Sequence, residues 1–326
     1  MFKIQRRAIC ALLLFAGLAP VHFASASNAV PEGPVRFVAP FVPGGTADVL
    51  ARTIGQRLGS KYHRTFVVEN KPGMGGNLGA AAVAQSKPDG STLLLGTIGI
   101  HSTHSIYPKL QYNPDKDIQP IVILGGVPCV VAVNPSRPFH NLKELIAYAK
   151  ANPGKLTFGS AGTGSSTHMV GELFQQAAGI KLTHVPYKGS AQAMNDLMGG
   201  QIDMMFELLT TATPFVTSGK IRGLAVTSKN RFTLLPNLPT VSEAAVPGFE
   251  GLGWFTVATA SGVSKEIVAQ YNKDINEILR EPDLQKTWEG LALQIIGGSA
   301  EDARRYVASE TVKWKKVIQT ANIKSE

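Results

Sequence analysis

Two glycine-rich segments carry the residue types best suited to ligand binding. Residues 40–48 read PFVPGGTAD, and residues 159–168 read GSAGTGSSTH. Each segment follows an apolar strand pattern and precedes a helix pattern, where unpaired N–H groups and the positive end of the helix dipole meet a flexible backbone. This combination binds carboxylate or phosphate without arginine. An ordinary tight turn is an equally open interpretation of the first segment alone, but two facing segments would hold both ends of a small anion.

Other chemistries are weakly supported by the same segments. The chain lacks G-x-x-x-x-G-K-[ST], and the glycines do not fit G-x-G-x-x-G, which argues against a nucleotide site. Ser165 or Ser166 with His168 leaves a serine hydrolase as an alternative, although neither serine lies in G-x-S-x-G. His101 and His104 have no carboxylate or cysteine beside them, so they are interpreted as polar residues at a cleft rim. We predict no catalytic residue, no cofactor and no metal.

Two further loops are candidates for contact with a ligand. Residues 69–77 (ENKPGMGGN) again join a strand to a helix, with Asn77 as the predicted N-cap, and a purely structural turn is an equally open interpretation. After the strand pattern at 182–187, the Tyr187 hydroxyl and nearby backbone amides are predicted to close over a ligand. Lys188 is predicted to be a solvated charge.

Strands and helices alternate in the first third of the chain. Apolar runs at 35–39, 65–69 and 92–96 predict strands, and residues 46–59 and 77–86 between them predict helices. This β-α-β-α-β order implies a parallel sheet with right-handed crossovers. Two more apolar strands are then predicted, at 120–125 and 129–133.

The same alternation then restarts and predicts a second unit. Asn141 with Glu144 indicates a helix start. The predicted strands after it are 156–160, 182–187, 203–207 and 224–228, with helices at about 166–178 and 190–199. A strand at 254–260 and two tail helices, the last carrying Val307, Trp314 and Ile318, are predicted to cover the first unit.

The pattern as a whole predicts an α/β fold with two lobes around a ligand cleft. Lobe 1 is assigned to residues 27–126 together with 253–326, and lobe 2 to residues 127–252. Ligands of open α/β sheets bind at the carboxyl ends of the strands, where both glycine-rich segments begin.

The N-terminus has the layout of a secretory signal peptide. Lys3, Arg6 and Arg7 precede the apolar run 8–19, and Ala24-Ser25-Ala26 forms a small-residue cleavage site. A buried N-terminal helix is the alternative. We expect export through the Sec route, cleavage after Ala26 and a periplasmic location.

Composition excludes several classes of protein. With 44% hydrophobic and 17% charged residues, the 326-residue chain is globular rather than disordered. Its two cysteines exclude four-cysteine zinc sites, and cleavage would leave only Cys129, which is predicted to be buried and unreactive. The formal net charge of +9 comes from scattered lysines and arginines, so we predict no nucleic-acid partner.

The ordered set of motifs resembles the periplasmic solute-binding proteins of tripartite tricarboxylate transporters, also called the Bug (Bordetella uptake gene) family. The matching segments are APFVPGGTADVLAR (39–52), VVENKPGMGGNLGA (67–80), KPDGSTLLLGT (87–97), GSAGTGSSTHMVGELF (159–174), VPYKGSAQAMNDLMGGQIDMMF (185–206), SGKIRGLAVTS (218–228) and LPTVSEAAVPGFE (238–250). The resemblance spans nearly all of the chain after residue 26.

The resemblance implies a type II periplasmic-binding-protein fold whose two α/β lobes close on a carboxylate. Backbone amides, hydroxyls and bridging waters of the two glycine-rich segments are implied to hold the ligand. The implied binding residues are Phe41, Gly44, Gly45, Thr46, Ala47 and Asp48 in the first lobe and Ser160, Gly162, Thr163, Ser165 and Thr167 in the second. We expect position 45 to require glycine, because a Cβ there would crowd the ligand or meet a positive φ.

The sequence is therefore interpreted as an exported solute receptor. It is predicted to be a monomer that binds a small organic acid and hands it to the membrane permease subunits of a tripartite tricarboxylate transporter. A sensor that presents the acid to a membrane kinase is an open alternative, and a periplasmic hydrolase is the alternative from another class of protein.

Overall fold

The computed structural model describes residues 30–324. The predicted signal peptide lies outside the described residues. Across residues 30–324, the helices are all too short or too polar to cross a membrane.

Within residues 30–324, ten strands make up a single connected sheet. They are β1 Val35–Ala39, β2 Phe66–Asn70, β3 Thr92–Thr97, β4 Ile118–Val133, β5 Thr157–Ser160, β6 Thr183–Pro186, β7 Met204–Leu208, β8 Arg222–Val226, β9 Leu252–Ala260 and β10 Gln294–Ile295.

In the part of the chain that the structure describes, twelve α-helices flank the strands. They are α1 Thr46–Tyr62, α2 Asn77–Ala84, α3 Ile98–His101, α4 Pro114–Asp117, α5 Leu142–Ala151, α6 Ser166–Ala178, α7 Ser190–Met198, α8 Leu209–Thr217, α9 Val241–Ala244, α10 Lys265–Leu279, α11 Pro282–Gly290 and α12 Ala300–Ala321. Single 3₁₀ turns lie at Met74–Gly76 and His104–Ile106.

The sheet has two halves that share one strand. Its order is β2-β1-β3-β9-β4-β7-β5-β6, with β8 and β10 also paired to β4. β2, β1 and β3 are parallel, as predicted, and β6, β5 and β7 form a second parallel set. We call the half with β1–β3 the first lobe and the half with β5–β8 the second lobe. The two-lobe α/β fold is confirmed, whereas the boundaries at 126/127 and 252/253 stay a prediction.

The strand shared by the two lobes corrects the sequence analysis. Two strands were expected, at 120–125 and 129–133, but β4 runs unbroken from Ile118 to Val133. It pairs with β9 as far as Pro128, and from Cys129 onward it pairs with β7 and β8. Gly125, Gly126 and Pro128 do not end the strand, because the ladder with β9 extends through them with bulges, and β7 and β8 continue the pairing beyond Pro128.

The tail helices also differ from expectation. α10 covers the first lobe: Lys61 of α1 forms ion pairs with Asp274 and Glu277. α12 contacts both lobes: its Thr311 hydroxyl donates to the His101 carbonyl of the first lobe at 3.3 Å, and its Val317 carbonyl accepts a hydrogen bond of 2.9 Å from Gln176 of α6 in the second. The expectation that both tail helices cover only the first unit is therefore wrong for α12. An apolar stripe on a helix indicates that the helix packs on a surface, but it does not indicate whether that surface belongs to the first or the second lobe.

Cys129 is fully buried where β4 enters the second lobe. Its backbone N–H donates to Thr227 Oγ1 at 2.7 Å, and burial raises the pKa of the thiol well above its usual value. The predicted burial is confirmed.

Candidate functional site

The two glycine-rich segments meet in a small inner cavity between the lobes. We call it the inner cavity; its volume is about 30 Å³. The lining residues are Phe41, Val42, Gly45, Thr46, Ala47 and Thr97 from the first lobe, Ala161, Ser165, Ser166, Thr167, Ser190 and Leu208 from the second, and Phe255 from β9. Apart from Phe255, which lies within β9, these residues end or follow β1, β3, β5, β6 and β7 at their carboxyl ends, as expected for parallel strands.

Four helices of eight or more residues begin at this cavity. α1 starts beside Gly45, α6 beside Ser165, α7 at Ser190 and α8 beside Leu208. The starts of α1, α7 and α8 have no side-chain cap. The N–H groups of a helix's first turn have no partner within the helix and carry the positive end of its dipole. The backbone alone therefore makes the electrostatic potential in the inner cavity positive, and no lysine or arginine lines it.

Two buried hydroxyls add donors to these backbone groups. Thr46 is 4% exposed and Thr97 is 1% exposed, and the Oγ1 atom of each lacks a hydrogen-bond partner. A buried hydroxyl without a partner costs free energy, so such atoms are expected to face a ligand or water. Thr97 was not predicted; its position at the end of β3 was the available signal.

Asp48 and Asn70 hold the first glycine-rich segment in shape. Asp48 Oδ2 accepts hydrogen bonds of 3.0 Å from the Gly44 N–H and from Arg52 Nε, and Oδ1 accepts one of 2.9 Å from Asn70. Burial opposes ionisation, but these hydrogen bonds outweigh it and lower the pKa of Asp48. Both carboxylate oxygens thus already accept hydrogen bonds from Gly44, Arg52 and Asn70, and Asp48 does not line the inner cavity.

The glycine that needs a special conformation is Gly44 rather than Gly45. Gly44 has φ of 83°, whereas Gly45 has an extended φ of −81°. A Cβ on Gly45 would meet only the Val42 carbonyl oxygen, at 3.8 Å. The expectation that positive φ requires glycine at position 45 is wrong. Only side-chain atoms beyond Cβ would fill the cavity there.

The second glycine-rich segment is organised by its own hydroxyls. Ser165 caps α6 by accepting from the His168 N–H at 3.4 Å, and Thr167 Oγ1 accepts from the Ala161 N–H at 2.9 Å. Ser160 is fully buried and lies outside the inner cavity; its Oγ accepts from the Gly162 N–H. These bonds fix the loop, while Ser165 and Thr167 still line the cavity.

The geometry does not favour a serine hydrolase. The His168 Nδ1 accepts from the Gly164 N–H at 3.0 Å, and its Nε2 lies 3.5 Å from Glu172, so its ring is not directed to Ser165 or Ser166. A serine–histidine pair does exist at Ser160 and His184, 2.6 Å apart. Burial and the neighbouring His168 lower the pKa of His184 to about 2, which makes it a poor base.

Gly162, Thr163 and Tyr187 surround a separate outer cavity of about 260 Å³, together with Gly75 and Tyr107 of the first lobe. Tyr107 donates to the Thr163 carbonyl at 2.6 Å and so joins the lobes. The Tyr187 hydroxyl instead donates to Asp196 at 2.7 Å within its own lobe, so it does not close over the inner cavity as expected. Asn77 is the first residue of α2 rather than its N-cap, which is Gly76.

His101 is part of the core rather than of a cleft rim, whereas His104 is only partly buried. His101 is 2% exposed, stacks on Trp254 and contacts Thr256 Oγ1 at 3.0 Å. Burial lowers its pKa to about 4. Within residues 30–324, no cluster of three or more His, Cys, Asp or Glu residues is arranged to hold a metal ion.

A side cavity adjoins the inner cavity through Gly45 and Ser190, which line both. We call it the side cavity; its volume is about 170 Å³, and Gly44 and Glu207 also line it. Glu207 is 1% exposed, and burial raises its pKa to about 7. Neither Ser190 nor Glu207 was predicted as a site residue, because no short motif marks them; both follow or end strands of the second lobe.

Known proteins resemble this chain over nearly its whole length. Residues 50–323 match the family model described as tripartite tricarboxylate transporter family receptor. BugT of Bordetella pertussis is 31% identical, with 98% of each chain covered. The structure of R. palustris Rpa4515 with adipate is 38% identical, covers 90% of this chain and 98% of its own, and has a TM-score of 0.86.

A second solved structure agrees. MatC (Rpa3494) from Rhodopseudomonas palustris with bound malate is 29% identical, covers 88% of this chain and 99% of its own, and has a TM-score of 0.83. The sequence match and the shared fold indicate the same family. The chain belongs to the tripartite tricarboxylate transporter receptor family of periplasmic solute-binding proteins.

Proposed function

We propose that this protein is an exported receptor that captures a small carboxylate between its lobes and delivers it to the membrane permease subunits of a tripartite tricarboxylate transporter. In this proposal the signal peptide is cleaved after Ala26, and the mature chain acts as a monomer. No catalytic step is involved.

The observation that carries the proposal is the convergence of four helix starts on a cavity with unpartnered hydroxyls. Each helix start favours a negative charge by about 0.3–1 kcal/mol when exposed, and by up to about 2 kcal/mol when partly buried. Thr46 and Thr97 add hydroxyl donors that nothing else in the structure uses. The ligand group that fits is therefore an anion with several acceptor oxygens, such as a carboxylate.

The solved relatives support a carboxylate in particular. Rpa4515 is described with adipate and MatC with malate. Phe41 and Phe255 add apolar walls to the same cavity, which suits the hydrocarbon part of an organic acid better than inorganic phosphate.

Thermal-shift and calorimetric titrations of residues 27–326 would test the binding function. Each acid of a panel of mono-, di- and tricarboxylates is compared with its neutral amide, which keeps the shape and removes the charge. An acid at 100 times its dissociation constant should raise stability by about 2.7 kcal/mol, and its amide should not. Equal shifts for acid and amide, or turnover of the bound compound, would contradict the proposal.

Delivery needs a separate experiment. Proteoliposomes containing the permease subunits should take up the acid only when the receptor is added. Uptake that is independent of the receptor, together with stimulation of a membrane kinase by the loaded receptor, would favour the sensor alternative instead.

A further inference from the structure

The side cavity contains a buried acid that the carboxylate site does not use. Glu207 lies near the end of β7, and Thr211 of α8 donates a hydrogen bond of 2.5 Å to its Oε1. The Oε2 atom is buried and has no hydrogen-bond partner. The Ser190 hydroxyl is close enough to favour the ionised form but makes no hydrogen bond of ordinary geometry with Glu207.

The surroundings supply no positive charge to this acid. Apart from Glu207, the side cavity is lined by glycines, by polar neutral residues and by apolar side chains that include Met194 and Phe215; no lysine, arginine or histidine is among them. An unpartnered carboxylate oxygen in such a place is costly unless another molecule donates to it.

The position of Glu207 relative to the anion site makes a bound ligand the natural donor. Gly45 and Ser190 line both the inner cavity and the side cavity, so the two spaces are neighbours. A ligand whose carboxylate lies at the helix starts can extend its chain past Gly45 along the apolar side chains. Its far end then reaches the Glu207 carboxylate.

We propose that the physiological ligand carries a hydrogen-bond donor, a hydroxyl or an ammonium group, at the end opposite its carboxylate, and that Glu207 Oε2 accepts from it. This inference rests on the carboxylate-binding function proposed above and narrows its substrate class. A second carboxylate at that end would face the ionised form of a buried acid with no cation nearby, so plain dicarboxylates are disfavoured above the pKa of Glu207. Glu207 is thus a specificity-determining residue.

Burial raises the pKa of Glu207 to about 7, so the group is partly ionised at neutral pH before ligand arrives. A donor placed against Oε2 stabilises the ionised form, and an ammonium group does so more strongly than a hydroxyl. A difference in affinity between the amino and the hydroxy derivative of the same acid would therefore show which donor Glu207 prefers.

Calorimetry with matched acids at about pH 8, where Glu207 is mostly ionised, tests the inference. For chain lengths of about four to six carbons, the probes are the plain monocarboxylate, its ω-hydroxy and ω-amino derivatives, and the dicarboxylate of equal length. We expect at least one donor-bearing acid to bind about tenfold or more tightly than both the plain acid and the dicarboxylate, as a hydrogen bond to a charged group implies.

The variant Glu207→Gln keeps the shape of the side chain and removes its charge. It should lower affinity for the donor-bearing acid and raise affinity for the dicarboxylate, each by about tenfold. The control Asp274→Asn removes another buried carboxylate, one that contacts Tyr62 and Lys61 in the first lobe. It should leave the order of preference unchanged.

Each outcome is decisive. Tighter binding of the dicarboxylate by the unaltered protein, or an unchanged preference in folded Glu207→Gln, overturns the inference while leaving the carboxylate receptor intact. Failure of every acid to bind overturns the proposed function and the inference with it.

Discussion

Replacing Gly75 with alanine tests whether ligand binding requires direct contact between the lobes. Gly75 has φ of 60°, and a Cβ there would lie far inside van der Waals contact with the Thr163 carbonyl oxygen of the opposite lobe. The same carbonyl accepts the hydrogen bond from Tyr107. The substitution therefore pushes the lobes apart at the place where they touch.

The expected loss follows from these contacts. The hydrogen bond from Tyr107 contributes about 1 kcal/mol, and the added methyl group costs about 1–3 kcal/mol as overpacking. A closed arrangement weakened by about 2–4 kcal/mol lowers affinity by roughly 30-fold or more, at about 1.4 kcal/mol per factor of ten. Small-angle scattering should also show less compaction when ligand is added.

Gly179→Ala is the matched control for backbone strain. Gly179 has nearly the same φ, 63°, and no atom lies within 4 Å of its ideal Cβ. Both variants carry a left-handed strain of about 1–2 kcal/mol in stability, but only Gly75→Ala should lose affinity. Calorimetry with the tightest acid of the panel, after circular dichroism has confirmed folding, measures the difference. Equal affinities of the two variants would show that the lobes need not touch at this point.

Four other predictions concern single side chains. Thr46→Val should weaken acid binding by about 1.5–3 kcal/mol without loss of stability, because the Thr46 hydroxyl has no partner within the protein and is available to a ligand. Thr53→Val removes a hydroxyl that is bonded to the Val49 carbonyl in the same helix, and it should leave the calorimetric affinity unchanged. Burial raises the pKa of Glu207 from 4.5 to about 7, so the protonated side chain stabilises the folded state below pH 4.5, and this contribution is lost as pH rises through 7. In chemical denaturation across this pH range, the free energy of unfolding should therefore fall by about 3 kcal/mol less in Glu207→Gln than in the unaltered protein. Cys129 should react with a thiol reagent only on unfolding, and labelling of the native protein would contradict its burial. Lys188→Ala should change affinity little, because Lys188 lines the outer cavity rather than the inner one, and a loss of binding would indicate a side-chain ion pair.

Local pattern was sufficient for most of the elements and for the loops that line the inner cavity. The helix predicted at about 166–178 is α6, and the strand predicted at 35–39 is β1, because each has a strong apolar period and a clear start or stop. Strand ends followed by glycine and hydroxyl residues identified both halves of the inner cavity. Helix α8 was not predicted, since Pro214 inside it argues against a helix when only the sequence is available.

What the sequence determined by itself is the set of loops that line the inner cavity, because glycine, hydroxyl residues and helix starts are local properties of the chain. What each residue does in those loops was decided only by tertiary structure. The Asp48 carboxylate accepts hydrogen bonds from Gly44, Arg52 and Asn70. The Tyr187 hydroxyl donates to Asp196, whereas the Thr46 hydroxyl is left without a partner. Whether a polar atom is available to a ligand depends on neighbours that are distant in sequence. The burial of Glu207 without a neighbouring positive charge depends on such neighbours as well. The contacts between these residues form when the two lobes pack, and the spacing of residues along the chain does not encode them.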